Sequence, residues 1–261
     1  MKQYLIPTNW FFVTMQLIAF IVTIASLIYT TDYSLFWYSL IGYFLITCLG
    51  ITVTNHRLLT HRSYRVFKPI EYMFAYFANM GCTGSGVGWA FVHRVHHQYT
   101  DVPGDPHSPV TLGPLGAFIG DYTANFNKWL VKDIINDPMH RLMHEYYIAI
   151  VLITMLVLYT ISPVVLVYGL MIPIFLNTMA SRMSNWVDHY HKFGTRDYNI
   201  KDQSHNVWWW AILTFGEGWH NNHHADPSSF RIGKKWYQFD LGRYVIELLI
   251  FIGLAKTKGS H

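Results

Sequence analysis

The stretch WFFVTMQLIAFIVTIASLIY, Trp10–Tyr29, is uncharged throughout, and after Thr30–Asp32 a second uncharged run follows, Tyr33–Asn55. About 20 such residues wound as helix cross a bilayer core, so each run reads as a membrane span. A secretory signal would be shorter and would end in small residues at a cleavage site, which this run does not. Further on, Tyr146–Ser181 holds 36 uncharged residues with Ser162-Pro163 near its middle. Proline lacks an amide donor and clashes with the preceding turn, so this region is expected to break there into a hairpin. The expected spans are about 9–30, 34–55, 146–161 and 163–182, leaving the N-terminus, 56–145 and 183–261 on one side, with Arg182 at its edge. All 19 Lys and Arg lie on that side and none in the two short turns, which by the positive-inside bias makes it cytoplasmic. The expected fold is therefore an all-α integral membrane protein, one domain over residues 1–261. Four transmembrane helices in two hairpins would carry a cytoplasmic helical cap.

Composition points the same way. Hydrophobic residues make up 52% of the chain and charged residues 13%, against about 25% charged in soluble proteins. The net charge of +4 suits anionic lipid head groups, and no compact Lys/Arg run or motif supports nucleic acid as a partner. Two cysteines, Cys48 and Cys82, both in apolar surroundings, give no disulfide framework and fit a reducing compartment. Three other apolar stretches are expected to lie at the surface of the bilayer. Ile70–Val92 is interrupted by Gly81, Gly84, Gly86 and Gly88 and reads as interfacial or re-entrant. Val207–Phe215 contains three consecutive tryptophans, and Arg243–Ala255 is too short to span.

Most of the 15 histidines are clustered. His56 and His61 follow the second span, His93, His96 and His97 follow the glycine-rich segment, and His220, His223 and His224 come late. The i, i+3, i+4 spacing of the last two clusters puts three imidazoles on one helix face, able to converge on a metal. The spacing of five in the first cluster separates its side chains by about 140°, so those two converge only if the helix frays or bends. Asn185 and His189, four apart, share a face if the fourth span continues as helix. His107, His140, His144, His205 and His261 read as ordinary polar histidines. Eight or nine imidazoles exceed the needs of one ion, so two metals fit better. No His-Glu-x-x-His protease motif or Cys-x-x-Cys zinc pair occurs, and iron, unlike zinc, activates oxygen.

The order His-x4-His, His-x2-His-His, His-x2-His-His resembles the membrane fatty acid desaturases, and among them the acyl-CoA and acyl-lipid delta-9 desaturases of bacterial and cyanobacterial type. Gly216-Glu-Gly-Trp-His-Asn-Asn-His-His224 carries the resemblance most specifically. Gly50-Ile-Thr, Asp105-Pro-His-Ser-Pro109 and Trp236-Tyr-Gln-Phe-Asp240 add to it. The resemblance implies a di-iron centre held by His56, His61, His93, His96, His97, His220, His223 and His224. It also implies a ninth histidine and an asparagine acting through water. Asn185 and His189 have the right spacing, whereas the Phe193-Gly194-x-Arg196 landmark aligns His191 instead, and both readings stand.

Such enzymes use O2 as cosubstrate and two electrons per double bond, from ferredoxin or a cytochrome b5-type donor. This chain has neither an iron–sulfur cysteine set nor a dinucleotide fingerprint, so the donor is expected to be external. The expected substrate is an acyl lipid or acyl-CoA. The family register makes Phe44 and Cys48 candidates for setting chain length, while Trp89, Trp219 and Asp101 are expected to shape the channel or hold ligating imidazoles. Glu217 and Arg57 are candidates for the same work. The nearest rival is a di-iron fatty acid or carotenoid hydroxylase. A membrane metal transporter would place histidines or carboxylates inside the spans, which are nearly free of them.

Overall fold

The computed structural model describes residues 10–119, 127–190 and 194–258. The first uncharged run is helix α1, Trp10–Tyr29, whose 20 residues reach about 30 Å at 1.5 Å each. Its inward residues are Met15, Ala19, Thr23 and Ser26, while Leu17, Ile21 and Ile28 point outward. Small or weakly polar inside and bulky apolar outside reverses the pattern of a helix in water, and suits one surrounded by lipid.

Asp32 accepts from the Ser34 amide and starts the return. Helix α2, Phe36–Tyr43, runs without a break into a wide helix, Phe44–Thr60, wound by i→i+5 hydrogen bonds. Helix α3, Lys68–Asn79, lies hard against it at Gly50, where a Cβ would stand 2.5 Å from the Ala78 amide nitrogen. The Ile70–Val92 stretch then breaks at a turn in which Cys82 takes φ 51° and Ser85 caps α4, Gly86–Tyr99. Helices of 12 and 14 residues are each too short to span, in keeping with an interfacial or re-entrant segment.

Helix α5, Pro109–Ile119, kinks at Gly113. After the short α6, Lys132–Ile135, come α7, Pro138–Glu145, and α8, Tyr147–Ile161, bent by 76° relative to each other. Ser162 is extended, and Pro163 opens α9, Pro163–Leu166, which continues through Val167–Met171 into α10, Ile172–Val187. The break expected at Ser162-Pro163 is there. Among the described residues three helices are long and apolar enough to cross a membrane, Trp10–Tyr29, Tyr33–Thr60 and Pro163–Val187, and the bent α7–α8 pair supplies a fourth if it counts as one span.

The polar part is closed by α11, Trp208–Leu213, α12, His220–Ala225, and α13, Leu241–Phe251. Helix α13 starts before Arg243 because Asp240 caps it, accepting from the Arg243 amide. It stops short of Ala255 because Ala255–Thr257 (β2) pairs antiparallel with Tyr64–Val66 (β1). The fold is thus mostly helical, and this ribbon corrects the all-α expectation.

Candidate metal centre

Four elements deliver the histidines: the end of the wide helix, α4, the residues just after α10, and α12. The structure gathers nine of them into two groups. His56, His61, His93, His97 and His223 form the first, and His96, His189, His220 and His224 the second. Within each group one ring nitrogen per residue lies within 4.8 Å of all the others.

Two expectations are corrected here. Each i, i+3, i+4 triple does not converge on one point but divides between the groups. His93 and His97 stay together while His96 goes to the second, and His220 and His224 stay together while His223 goes to the first. Residues four apart differ by only about 40° around a helix, whereas neighbours diverge by about 100°, so two centres on either side are served by one helix. His56 and His61 need neither fraying nor a bend. The His61 amide bonds the His56 carbonyl at 3.2 Å, closing an i→i+5 turn, and a spacing of five becomes a shared face.

The Nε2 atoms face one another inside each group. The separations are 3.0 Å for His56–His223, 2.9 Å for His97–His223 and 3.1 Å for His93–His97 in the first. In the second they are 3.0 Å for His189–His220 and His220–His224 and 3.3 Å for His96–His224. Nitrogens bound at about 2.0–2.1 Å and at right angles on one ion stand about 3 Å apart. His61 Nε2 is buried with no hydrogen-bond partner. Burial first, then neighbouring imidazoles, lowers the pKa of His61, His93, His96, His220, His223 and His224, and brings His97 to about 3. These rings are neutral, with lone pairs available, which is the form that binds metal. The donor set fits two ions.

Carboxylates hold the far side of several rings. His56 Nδ1 pairs with Glu217, His96 Nδ1 lies 3.0 Å from both Asp105 oxygens, His189 Nδ1 is 3.1 Å from Asp101, and His224 Nδ1 is 3.3 Å from Asp202. Such a pair fixes the tautomer with Nδ1–H donating and Nε2 free for a ligand. Burial opposes ionisation of Glu217, but His56 and Arg57 outweigh it and hold the carboxyl below its usual range. Burial raises Asp105 to about 6, against the amides of Asp101 and His107. Arg57 is itself buried, donating to the Phe230 carbonyl at 2.8 Å and pairing with Asp240 at 2.9 Å and Glu217 at 3.3 Å. Gly216 is required beside this triad: its φ is +116°, and a Cβ would meet Asp240 Oδ1 at 2.2 Å.

The second group borders a cavity of about 370 Å³, within the usual range for ligand pockets. Phe12, Ile51, Trp89 and Val92 give it apolar walls, and Asn185, Asp188 and Glu217 are among its polar ones. Asn185 lines the cavity together with His189, its amide donating to the Ala117 carbonyl at 3.3 Å. Trp89 lines the cavity and stacks on His93, with centroids 4.9 Å apart. Three channel expectations are redirected. Phe44 and Cys48 are not part of the wall; Cys48 is fully buried in the core with Phe74, and the face of the wide helix that reaches the cavity carries Thr47, Ile51 and Thr52. Trp219 is buried away from the cavity, donating its indole N–H to the Phe239 carbonyl at 2.8 Å. His191 and Phe193 lie outside the described residues, as does His261.

Sequence reasoning missed Asp105, Asp202, Asp240 and His107 as parts of the site. His107 is buried against His96, with centroids 4.3 Å apart, and lines the cavity. The Asp-Pro-His-Ser-Pro motif was the available signal for Asp105 and His107; nothing local marked Asp202. His140 belongs elsewhere. With Glu71 and Asp137 it could enclose an ion, but the Lys68 ammonium already sits 2.7 Å from Glu71 and 2.9 Å from Asp137.

Comparison with known proteins accords with this geometry. The sequence model of the fatty acid desaturase family matches residues 34–247. The chain is 35% identical over 235 residues to the sn-1 stearoyl-lipid 9-desaturase of Anabaena variabilis, covering 84% of this chain and 82% of that protein. It is also 35% identical over 238 residues to an acyl-CoA 5-desaturase of Anemone leveillei, covering 87% and 72%. For delta-9 acyl-lipid desaturase 1 of Arabidopsis thaliana the figures are 35% over 217 residues, covering 79% and 70%. The chain belongs to the fatty acid desaturase family.

Proposed function

We propose that this protein introduces a cis double bond at the delta-9 position of a long-chain fatty acyl group. The observation that carries the reading is the pair of converging imidazole groups, five and four, bordering a largely apolar cavity of about 370 Å³. His56, His61, His93, His97 and His223 would hold one iron, and His96, His189, His220 and His224 the other, with Asn185 reaching the second through water. When bound, the two irons supply the redox chemistry by which O2 takes two hydrogens from the chain. Two electrons and two protons complete the balance, giving one double bond and two waters. The electrons come from an external ferredoxin or cytochrome b5-type donor.

The remaining work belongs to the chain's own residues. Trp89, Ile51 and Val92 keep one methylene pair beside the histidines and exclude water from it. Glu217, Asp105, Asp101 and Asp202 orient their imidazoles, and Arg57 anchors Glu217 to Asp240. Around this site the chain forms a single membrane domain with four spans in two hairpins, α8 supplying the third. Residues 56–145 and 183–261 face the cytoplasm.

The test is gas chromatography–mass spectrometry of fatty acids from a desaturase-deficient host expressing the chain, beside a His223→Ala control. New monounsaturated acids with the bond at carbon 9, absent from the control, are expected. Hydroxy acids in their place would overturn the reading in favour of a hydroxylase.

A further inference from the structure

The cavity's outer rim identifies how its substrate arrives. Among the described residues that line it, only Val13 and Ile119 are more than a third exposed, at 38% and 55%. Both are apolar. Val13 belongs to α1, whose outward face is that of a lipid-facing span, and one turn before it Trp10 is 75% exposed. An indole so placed favours the head-group level, which sets the rim just inside the bilayer surface. The cavity therefore borders lipid between the first turns of α1 and the end of α5.

Charge narrows the substrate further. Arg182 is the one guanidinium or ammonium among the described lining residues. It is already engaged, donating to the Phe118 and Ile119 carbonyls at 2.9 and 3.0 Å and to Gln16 Oε1 at 2.8 Å. Gln16 in turn donates to the Cys82 carbonyl at 2.9 Å. This clasp joins α10, α5, α1 and the α3–α4 turn across the rim. A coenzyme A thioester carries three phosphate groups, and phosphates are normally met by several free cations. The rim offers lipid-facing apolar residues and neutral amide and hydroxyl groups, which match the ester region of a glycerolipid.

We infer that the acyl chain reaches the cavity sideways from the bilayer while still esterified to a glycerolipid, passing between α1 and α5 at the Gln16–Arg182 clasp. The inference rests on the desaturase reading and fixes the carrier that reading leaves open.

Iron-loaded protein, first shown to make unsaturated acids in cells, is placed in nanodiscs with ferredoxin and its reductase. In one arm the nanodisc contains phosphatidylglycerol with deuterated stearoyl chains; in the other, deuterated stearoyl-CoA is added to unlabelled nanodiscs. Labelled double bonds are expected to form at least tenfold faster from the lipid. Faster turnover of the thioester overturns the inference and leaves desaturation standing, as does turnover of neither by protein active in cells, which points to an acyl carrier protein. No product even in cells removes the desaturase reading and this inference with it. Val13→Trp narrows the rim and is expected to raise KM for the lipid about tenfold with kcat little changed. Leu17→Trp, equally lipid-facing but outside the lining, should change neither, and equal effects of the two variants would overturn the proposed opening.

Discussion

At the scale of single residues, the centre depends on which ring nitrogen carries the proton. Asp105 holds Nδ1 of His96 and so leaves Nε2 turned toward the second group. Asp105→Asn keeps the shape but weakens that control, and loss of such a partner typically costs 10–100-fold in metal affinity. A metal titration of the variant should show the second ion weakened by about that factor and the first retained. Acid should act on the metal-free protein in a defined direction. His97 and His107 have pKa values near 3 in the fold against 6.5 for an ordinary imidazole. Below pH 6.5 the unfolded chain binds more protons than the folded one, so stability is fully present above that pH and is lost as pH falls toward 3. The slope is about 1.4 kcal/mol per pH unit for each such ring. Thermal melts in detergent at pH 7.5 and 5.5 should show the apoprotein losing stability at the lower pH; an unchanged or higher midpoint contradicts buried neutral rings.

At the scale of elements, winding decides what each residue faces. The histidine boxes are legible in the sequence because clustered imidazoles beside apolar runs have few other uses. Their division into five and four is not, because it depends on how α4 and α12 are rotated between two centres. The i→i+5 winding of Phe44–Thr60 is likewise invisible to a reading that assumes 3.6 residues per turn. It places His61 with His56 and turns Thr47, rather than Cys48, to the cavity. The two positions should therefore behave differently. Thr47→Phe is expected to shift the products toward shorter acyl chains at near-normal stability. Cys48→Phe overfills a closed core and is expected to cost about 1–3 kcal/mol of stability without shifting chain length. Product profiles beside thermal midpoints distinguish the two, and a chain-length shift confined to Cys48→Phe would contradict the observed face.

At the scale of the whole molecule, long apolar helices carry a polar assembly whose histidines come together from positions as distant as His56 and His224. The long apolar helices and the break at Ser162-Pro163 were legible from the uncharged runs. The tilt of α7 onto α8, the ribbon and the carboxylate from Asp202 were not, because each depends on contacts between distant segments. The proposed orientation predicts that Thr31→Cys reacts with a membrane-impermeant maleimide in intact cells while Lys235→Cys reacts only after permeabilisation. Both native cysteines are buried and should stay silent. The opposite labelling pattern would invert the topology.

The number and kind of metal ions held are the most direct test of a two-iron centre. Protein purified from iron-supplemented cells and analysed by inductively coupled plasma mass spectrometry should contain two irons per chain, falling toward one when His61 or His96 is replaced by Ala. One ion in the unaltered protein, or zinc in both places, would contradict it.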